Sequence, residues 1–398
     1  MMPLRVLVLA TSYPSEARPA DGIFIHTQCH ALAQLGVDVR VLNPIPWVPR
    51  LMSRLRKRWD CYHNLPALRV WDGVEVSRPR YLAFPRANYW YSPHWHYARA
   101  AEQRRGFRPD LIHAHMGYPA GLAGVVVARR WGIPSIVTLH GGDVNSAPGK
   151  SLLYRLHIKS ALKRATGLIA VSKALAEKAE QLAGRRPCVL PIGIDLAKFA
   201  QFRGKENARR ELGLPVGKKL LLYAGALLAA KGIPEIGELM SGMDTRDVAL
   251  VIIGDGPLES MARNIKGAIC TGVVPNDLIA HYMRAADLLL LPSHEEGMPT
   301  VLVEAGAADL PIIASDVGGI PELLCDGRGW VVPRGSVPAL KDAVARALAD
   351  PSEAALRSSR LRELVLRDYD VRQNAKKLLA LYAETIGEFR RDDRRCAS

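Results

Sequence analysis

The feature that most constrains the fold of this chain is a repeated alternation of short apolar runs and helical patterns. Apolar runs without internal polar residues are typical of strands buried on both faces, and their alternation with helices predicts parallel sheets covered by helices. The first series of runs is Arg5–Ala10, Asp38–Leu42, Asp110–His113, Ser135–Leu139, Gly167–Val171 and Cys188–Leu190. The second series is Lys219–Tyr223, Val248–Ile253, Ala268–Thr271, Leu288–Leu291, Pro311–Ala314 and Trp330–Val332.

A polar segment, residues 195–217, separates the two series. A chain of 398 residues is long for one core and suits two domains. We therefore predict two doubly wound α/β domains, residues 1–196 and 197–370, followed by a C-terminal segment, 371–398. The helical pattern Val371–Phe389 in that segment could pack on either domain. Its apolar stripe consists of Ala375, Leu378, Leu379, Tyr382 and Ile386.

Composition excludes several classes of protein. Apolar residues make up 48% and charged residues 23% of the chain, which excludes disordered, collagen-like and multi-span membrane proteins. The six cysteines stand alone, without CxxC pairs or Cys/His clusters, which predicts a reducing compartment and no metal site. The apolar run Val6–Ala10 is too short for a signal peptide. These features predict a cytoplasmic protein whose membrane contact, if any, is peripheral.

Residues 44–97 interrupt the first series with 11 of the 25 aromatic residues and a basic cluster. Basic side chains beside Trp residues are typical of a surface that faces anionic lipid at the inner face of a membrane. The alternative is a long solvated loop above packed aromatic rings. No groove-reading motif accompanies the net charge of +15, so nucleic acid is not predicted as a partner. The residues concerned are Arg50, Arg54, Arg56, Lys57 and Arg58, with Trp47, Trp59, Trp90 and Trp95.

The segment Ser293–Glu304 carries two carboxylates eight residues apart, Glu296 and Glu304. Pro299 suits the first position of a helix, whose exposed backbone amides at Thr300 and Val301 would favour an anion. Glu304 lies among apolar residues and requires hydrogen-bonding partners, which a sugar or ribose diol supplies. The alternatives are an ion pair for Glu304 and a solvated loop acid for Glu296.

Other candidates follow predicted strands, where ligands bind in open parallel sheets. Gly225 and Lys231 follow one strand of the second series, and Gly254 follows the next without the third glycine of a dinucleotide motif. In the first series, Gly22 is expected to open a helix, and His140 lies beyond a buried strand beside two glycines. The alternatives are an ordinary surface lysine, a tight turn and a histidine held by local packing. His113 and His115, which flank a predicted strand, are interpreted as structural.

The order and spacing of these motifs resemble those of family 4 of the retaining glycosyltransferases over nearly the whole chain. The segments that carry the resemblance are IHAH at 112–115, TLHGGD at 138–143, VSKALAEK at 171–178, PIGIDLAKF at 191–199, KG at 231–232, GDGP at 254–257, and EGMP through GGIPE at 296–322. The resemblance implies the GT-B fold, in which two Rossmann-like domains face each other across a cleft. It also implies that the C-terminal helix crosses back to the first domain.

The same resemblance implies roles for particular residues. The second Glu of the E-x7-E motif, Glu304, would bind the donor ribose, and Glu296 would lie against the donor sugar. Lys231 would contact the donor diphosphate, and His140 would lie near the transferred sugar. The catalytic candidates are therefore His140, Glu296 and Lys231. The donor-binding candidates are Gly22, Gly225, Lys231, Gly254, Glu296, Gly297, Met298, Pro299, Thr300, Val301 and Glu304.

These roles predict a retaining, metal-independent hexosyltransferase that uses a nucleoside-diphosphate sugar as its donor substrate and needs no cofactor. The expected acceptor is a saccharide or a polyprenyl-linked saccharide in polysaccharide or envelope glycan synthesis. The only Asp-x-Asp, Asp368 to Asp370, follows a helical pattern and makes a poor metal site. The alternatives are an NDP-sugar epimerase and a catalytically impaired homologue that acts as a partner subunit. The second is suggested by Ala226, which stands where the family usually has an arginine.

Overall fold

The computed structural model describes residues 3–47, 62–82, 93–103, 106–145, 149, 151–200 and 204–396. Contacts within the chain define two compact units. The first unit consists of Met1–Gly193 and Val371–Ser398, and the second of Ile194–Asp370. The predicted basic cluster at 50–58, together with Trp59 and Trp90, lies outside the described residues.

The described elements alternate between strands and helices along the chain. The strands are β1 (Arg5–Ala10), β2 (Asp38–Leu42), β3 (Ile45–Trp47), β4 (Leu68–Trp71), β5 (Val74–Ser77), β6 (Arg80–Leu82), β7 (Leu111–His115), β8 (Ser135–Leu139), β9 (Gly167–Ala170), β10 (Cys188–Val189), β11 (Lys219–Ala224), β12 (Val248–Ile253), β13 (Ala268–Gly272), β14 (Leu288–Leu291), β15 (Ile312–Ser315) and β16 (Trp330–Val332). The α-helices are α1 (Ile23–Gln34), α2 (His94–Glu102), α3 (Leu122–Trp131), α4 (Gly142–Asn145), α5 (Leu152–Arg164), α6 (Lys173–Ala183), α7 (Lys205–Glu211), α8 (Ile233–Ser241), α9 (Glu259–Arg263), α10 (Asn276–Ala285), α11 (Thr300–Ala307), α12 (Ile320–Leu324), α13 (Val337–Ala349), α14 (Pro351–Asp368) and α15 (Val371–Cys396).

The first unit is built on an eight-stranded sheet in the order β10-β9-β8-β7-β1-β2-β5-β4. All described pairs in it are parallel except β4 with β5. The chain moves outward from β1 through β2 and then returns to place β7 on the other side of β1. Such a reversal opens a crevice at the carboxyl ends of the two central strands, where ligands bind in sheets of this kind.

The segment 44–97 contains strands that the sequence analysis did not predict. Strands β4 and β5 form a hairpin at the edge of the sheet, and β3 pairs with β6 in a separate two-stranded ribbon. The hairpin turns at Asp72 and Gly73, with φ angles of 46° and 79°. A two-residue turn with two positive φ values matches the twist of paired strands and favours Asp-Gly, so this dipeptide is a signal that was missed.

The second unit is built on a parallel six-stranded sheet in the order β13-β12-β11-β14-β15-β16. Its reversal lies between β11 and β14, which are the two central strands. Every residue of β12, β14 and β15 is buried, as expected for strands covered on both faces.

Helix α15 belongs to the first unit, although it follows the second unit in the chain. Val371, Ala375, Leu378 and Tyr382 join the apolar core that β1, β2 and α1 build. The Tyr382 hydroxyl lies 2.6 Å from Nδ1 of His113 in β7. Among the described helices, none has an apolar stretch that would reach across a bilayer.

Candidate active site

In the second unit, the candidate residues gather on four loops at the carboxyl edge of the sheet. These loops follow β11, β12, β14 and β15, on both sides of the reversal between β11 and β14. Backbone hydrogen bonds connect them: the amide of Gly225 donates to Ile253, that of His294 to Ala230, and that of Gly319 to Gly297. The topology therefore brings together residues that are distant in sequence.

Lys231 and Glu296 form an ion pair between the loops that follow β11 and β14. The ammonium Nζ lies 2.7 Å from Oε1 of Glu296 and donates at 3.3 Å to the carbonyl oxygen of Glu295. Both side chains are largely buried. An ammonium has three N–H groups, and the described residues accept two of them, so the third can serve an anionic ligand.

Glycines allow these loops to approach one another closely. A Cβ atom on Gly232 would lie 2.2 Å from the carbonyl oxygen of Pro292, and one on Gly254 would lie 2.0 Å from that of Gly225. A Cβ on Gly318 would lie 2.1 Å from the carbonyl oxygen of Glu296. All three glycines have positive φ angles, which other residues adopt at a cost. The GGIPE segment, which follows β15, thus packs against the backbone of Glu296.

Helix α11 begins at Thr300, with Pro299 at the N-cap. The sequence analysis predicted Pro299 as the first residue of the helix. Its ψ of 117° is extended, so Pro299 precedes the helix, which begins at Thr300. The N-cap provides no side-chain hydrogen bond to the first turn. The amides of Thr300 and Val301 are at the start of the helix, where backbone N–H groups and the helix dipole favour an anion. Met298, just before this turn, is buried.

Glu304 lies in α11, one turn after Thr300 and Val301. Burial raises the pKa of its carboxyl from 4.5 to about 7, and the charge of Lys198 opposes this effect. A carboxylate in this environment gains most from a ligand that donates hydrogen bonds, because these replace the water it has lost.

The raised pKa of Glu304 makes a prediction about stability. A carboxyl whose pKa is higher in the folded state stabilises that state below the unfolded pKa of 4.5, and this contribution is lost as the pH rises through about 7. Relative to Glu304→Gln, we expect the wild-type free energy of unfolding to fall by about 3 kcal/mol across this range. Urea unfolding of both proteins as a function of pH measures the difference. Glu363→Gln, an exposed position on α14, should run parallel to the wild type; a parallel curve for Glu304→Gln would contradict the prediction.

In the first unit, His140 belongs to a chain of three histidines at the carboxyl ends of β7 and β8. Its Nε2 lies 2.9 Å from Nδ1 of His115, and the rings of His115 and His113 are 4.4 Å apart. His113 and His115 both lie within β7, because the strand continues to His115 and does not end at His113 as predicted. Burial lowers the pKa of His113 and of His140 to about 3, and that of His115 well below its usual value. All three rings are therefore neutral at physiological pH.

Asp143 holds the loop that carries His140, and the sequence analysis assigned it no role. Its carboxylate accepts hydrogen bonds from the backbone amides of His140, Gly141 and Gly117, at 3.2, 2.9 and 2.9 Å. Burial raises the pKa of Asp143, although these backbone donors favour the charged form. An Asp three residues after a His, with two glycines between them, is the signal in the sequence for such a backbone clamp.

Gly22 is the N-cap of α1 and lies beyond the carboxyl end of β1. Its φ is 66°, and a Cβ atom would lie 2.4 Å from the carbonyl oxygen of Ser12. The next turn brings the ring of Phe24 to 4.8 Å from that of His140. The structure therefore gathers Gly22 and His140 at one edge of the first sheet, separately from the candidates of the second unit.

Ala226 is exposed in the loop that follows β11. Its carbonyl oxygen accepts a hydrogen bond of 2.7 Å from the Tyr223 hydroxyl. Burial raises the pKa of that hydroxyl, and the negative charge of Glu296 raises it further. Tyr223 therefore interacts electrostatically with the carboxylate of the ion pair. Over the part of the chain that the structure describes, no group of three or more His, Cys, Asp or Glu side chains is arranged to hold a metal ion.

Two family models match this chain. The model for glycosyl transferases group 1 matches residues 204–363, and that for glycosyltransferase family 4 matches residues 22–198. A protein of Bacillus subtilis assigned to teichuronic acid biosynthesis as a glycosyltransferase, TuaC, is 38% identical over 379 residues. This match covers 94% of the present chain and 97% of the relative.

Solved structures are similar to this chain over almost its whole length. Sucrose-phosphate synthase from Thermosynechococcus elongatus has a TM-score of 0.81 at 21% identity. The alignment covers 97% of this chain and 100% of the synthase chain. Anabaena HepE in complex with UDP-glucose has a TM-score of 0.72 at 19% identity, with coverage of 97% and 100%. At such identities the likeness concerns the fold. The family models and the 38% identical relative show that the chain is a glycosyltransferase of family 4, with the GT-B fold of two Rossmann-like domains.

Proposed function

We propose that this glycosyltransferase transfers a hexose from a nucleoside-diphosphate sugar to a saccharide or lipid-linked saccharide acceptor, with retention of configuration and without a metal ion. The observation that carries the proposal is the set of groups on the carboxyl edge of the second sheet. Lys231 keeps one N–H for a ligand, the first amides of α11 favour an anion, and Glu304 needs hydrogen-bond donors. A diphosphate joined to a ribose and a sugar satisfies all three requirements.

In this proposal the second unit stabilises the leaving group. When the glycosidic bond breaks, negative charge develops on the diphosphate oxygen and positive charge on the anomeric carbon. The Lys231 ammonium offsets part of the diphosphate charge, and the amides of Thr300 and Val301 donate hydrogen bonds to it. Preorganised groups of this kind usually make the largest single contribution to catalysis. Glu296 holds Lys231 in place and lies beside the donor sugar, while Glu304 accepts hydrogen bonds from the ribose hydroxyls.

His140 in this proposal orients sugar hydroxyls. Its pKa of about 3 makes it a weak base, and its neutral ring can accept or donate a hydrogen bond. Its Nδ1 is buried and has no hydrogen-bond partner among the residues that the structure describes. A sugar hydroxyl would satisfy that atom. The acceptor hydroxyl then attacks from the face that the diphosphate leaves, and a departing phosphate oxygen takes its proton.

The acceptor class in this proposal is a saccharide of a cell-envelope polysaccharide. It is supported by the 38% identical Bacillus subtilis relative, which is assigned to teichuronic acid biosynthesis. The donor class is supported by the fold relative with bound UDP-glucose. Trp47 and Trp95, two of the aromatic residues expected at a membrane face, are exposed, which favours a lipid-linked acceptor.

The test is a screen of UDP- and GDP-sugars with and without a polyprenyl-linked saccharide, in the presence of EDTA. We expect release of NDP together with a glycosylated acceptor whose anomeric configuration, read by NMR, matches that of the donor. Product that forms only after Mg²⁺ is added would contradict metal independence. An epimerised donor without transfer would contradict the proposed reaction.

Ala226 provides a second prediction, because the proposed diphosphate site lacks the arginine that the family usually places there. The position is exposed, so a longer side chain fits without displacing the core. A charge-assisted contact is worth about 1.5–3 kcal/mol. We therefore expect Ala226→Arg to raise kcat/KM by about tenfold or more, whereas Ala226→Gln should leave it close to the wild-type value.

This variant also tests the second candidate function, an impaired homologue that acts as a partner subunit. That function predicts no transfer by the wild-type chain with any donor. It also predicts that Ala226→Arg creates or strengthens binding of NDP, measured by calorimetry. Wild-type turnover that Ala226→Arg fails to increase would show that other groups already neutralise the diphosphate.

A further inference from the structure

The first turns of helix α5 in the first unit expose three leucines to solvent. Leu152 is 73% exposed, Leu153 39% and Leu156 54%. The opposite face of the helix buries Ile158 and Leu162, so the exposed leucines are not part of its packing surface. Single exposed leucines are common on proteins, but three within five residues form an apolar patch that needs a partner.

Every charged side chain on α5 is a cation. Arg155, Lys159, Lys163 and Arg164 are all exposed, and the sequence of the helix contains no Asp or Glu. None of the four pairs with a carboxylate of the described residues. Positions i, i+4, i+7 and i+11 share one face of a helix, so Leu152, Leu156, Lys159 and Lys163 form a single stripe, apolar at its start and cationic at its end.

Trp95 is a further exposed apolar side chain, on helix α2, which contacts α5 through aromatic rings. It is 53% exposed, and its ring lies 4.8 Å from that of His94, which lies 5.1 Å from His157 in α5. Exposed leucines and cations on one helix, with an exposed indole on a helix that contacts it, are the composition that binds at the boundary between lipid headgroups and acyl chains.

The patch is connected to the loops that carry the candidate sugar-binding groups of the first unit. The Tyr154 hydroxyl donates to the carbonyl oxygen of Tyr118 at 3.3 Å, and the Tyr118 ring stacks on that of His157 at 4.8 Å. Tyr118 belongs to the turn Gly117–Gly121, whose first amide donates to Asp143. A surface that binds α5 is therefore next to the backbone clamp that holds His140.

Another pair of exposed leucines shows what distinguishes α5. Leu356 and Leu366 on α14 are 52% and 45% exposed, but they lie ten residues apart, about 15 Å along the helix axis, and so form no patch. The charges around them have both signs, as in the pair of Arg357 with Glu353 at 2.6 Å. Mixed charge gives no preference for an anionic surface, so α14 provides a matched control.

We propose that α5 and Trp95 dock this protein on a bilayer that contains anionic lipid. The leucines and the indole enter the boundary between headgroups and acyl chains, and the four cations face the phosphates of the headgroups. The biological role of this docking rests on the proposed function, because a lipid-linked acceptor would reach the carboxyl edge of the first sheet from that bilayer. It does not depend on the predicted basic cluster at 50–58.

The test is flotation of the full-length chain with vesicles of phosphatidylcholine alone, or of phosphatidylcholine and phosphatidylglycerol in equal parts. We expect the wild type to float with the mixed vesicles and less with phosphatidylcholine alone. Leu152→Ser/Leu156→Ser should lower the partition coefficient at least tenfold. Leu356→Ser/Leu366→Ser should float like the wild type, and circular dichroism should show that both variants are folded. Arg155→Gln/Lys159→Gln/Lys163→Gln should remove the preference for phosphatidylglycerol.

Several results would overturn the proposal. The wild type could float with neither kind of vesicle, or the α5 leucine variant could float like its α14 control. Flotation could also be lost only when Arg54, Arg56, Lys57 and Arg58 are replaced by Ser. Light scattering that shows a wild-type dimer and a monomeric α5 variant, with equal flotation, would assign the patch to self-association. Flotation needs no sugar donor, so its outcome is independent of the transfer assay, and either proposal can fail while the other stands.

Discussion

Lys231→Ala is expected to lower kcat/KM for the nucleoside-diphosphate sugar about a hundred- to a thousandfold. The ammonium lies 2.7 Å from Glu296 at the reversal of the second sheet and is the side-chain cation that we assign to the leaving diphosphate. Removal of one preorganised group that stabilises developing charge costs about this much in other enzymes. Steady-state kinetics with the donor from the screen measures the effect, and most of it should appear in kcat.

Two further variants separate catalysis from loss of an ion pair. Lys205→Ala removes a lysine that pairs with Asp287 at 2.8 Å in the same unit, and we expect near wild-type kinetics because Arg209 still pairs with that carboxylate. Lys231→Arg keeps the charge with a different shape and should recover part of the lost activity. If Lys231→Ala kept wild-type kcat/KM while it bound the donor normally, the diphosphate role would be wrong.

Asp143→Ala is expected to reduce both the stability of the first unit and transfer activity. The carboxylate accepts from three backbone amides, and its loss leaves these buried donors without partners. Each buried donor without a partner costs about 1–3 kcal/mol, so the loss of all three hydrogen bonds should lower the free energy of unfolding by at least about 3 kcal/mol. Urea unfolding monitored by fluorescence measures this change, and kcat should fall because the backbone of His140 is no longer held.

The controls for Asp143 use a conservative replacement and an exposed aspartate. Asp143→Asn retains one acceptor oxygen but turns an amide N–H toward a backbone donor, so its loss of stability should lie between those of wild type and Asp143→Ala. Asp342→Ala removes an exposed helical pair with Arg346 and should change stability by less than about 0.5 kcal/mol. Equal stabilities for Asp143→Ala and Asp342→Ala would show that the clamp is energetically unimportant.

The sequence predicted the central strands of both sheets because these strands are buried on both faces and therefore read as unbroken apolar runs. Several boundaries differ by one or two residues, as for β7, which begins at Leu111 and runs to His115. The edge hairpin of β4 and β5 was missed because apolar residues alternate with charged or polar ones in both strands, so neither strand is an unbroken apolar run. Leu68 and Val70 in β4 face solvent. Local pattern indicates an interior strand more clearly than an edge strand.

For the candidate site, the position of Lys231 after a strand was enough to expect it at one edge of a sheet, whereas Glu296 was singled out by its spacing from Glu304. The 2.7 Å contact between Lys231 and Glu296 depends on which two strands are central, and strand order is a tertiary property. The bond between His115 and His140 joins the ends of two neighbouring strands, 25 residues apart, and could not be read from either segment alone. The support that Gly318 gives to Glu296 was missed for the same reason.

The composition of the first unit has a consequence for biosynthesis. Val371 through Tyr382 complete the core around β1 and α1, yet the ribosome makes them only after all of Ile194–Asp370. Until these residues are translated, the N-terminal portion has an uncovered apolar groove, and His113 lacks its hydrogen bond with Tyr382. Deletions within the last helix should consequently damage the half of the protein that was translated first.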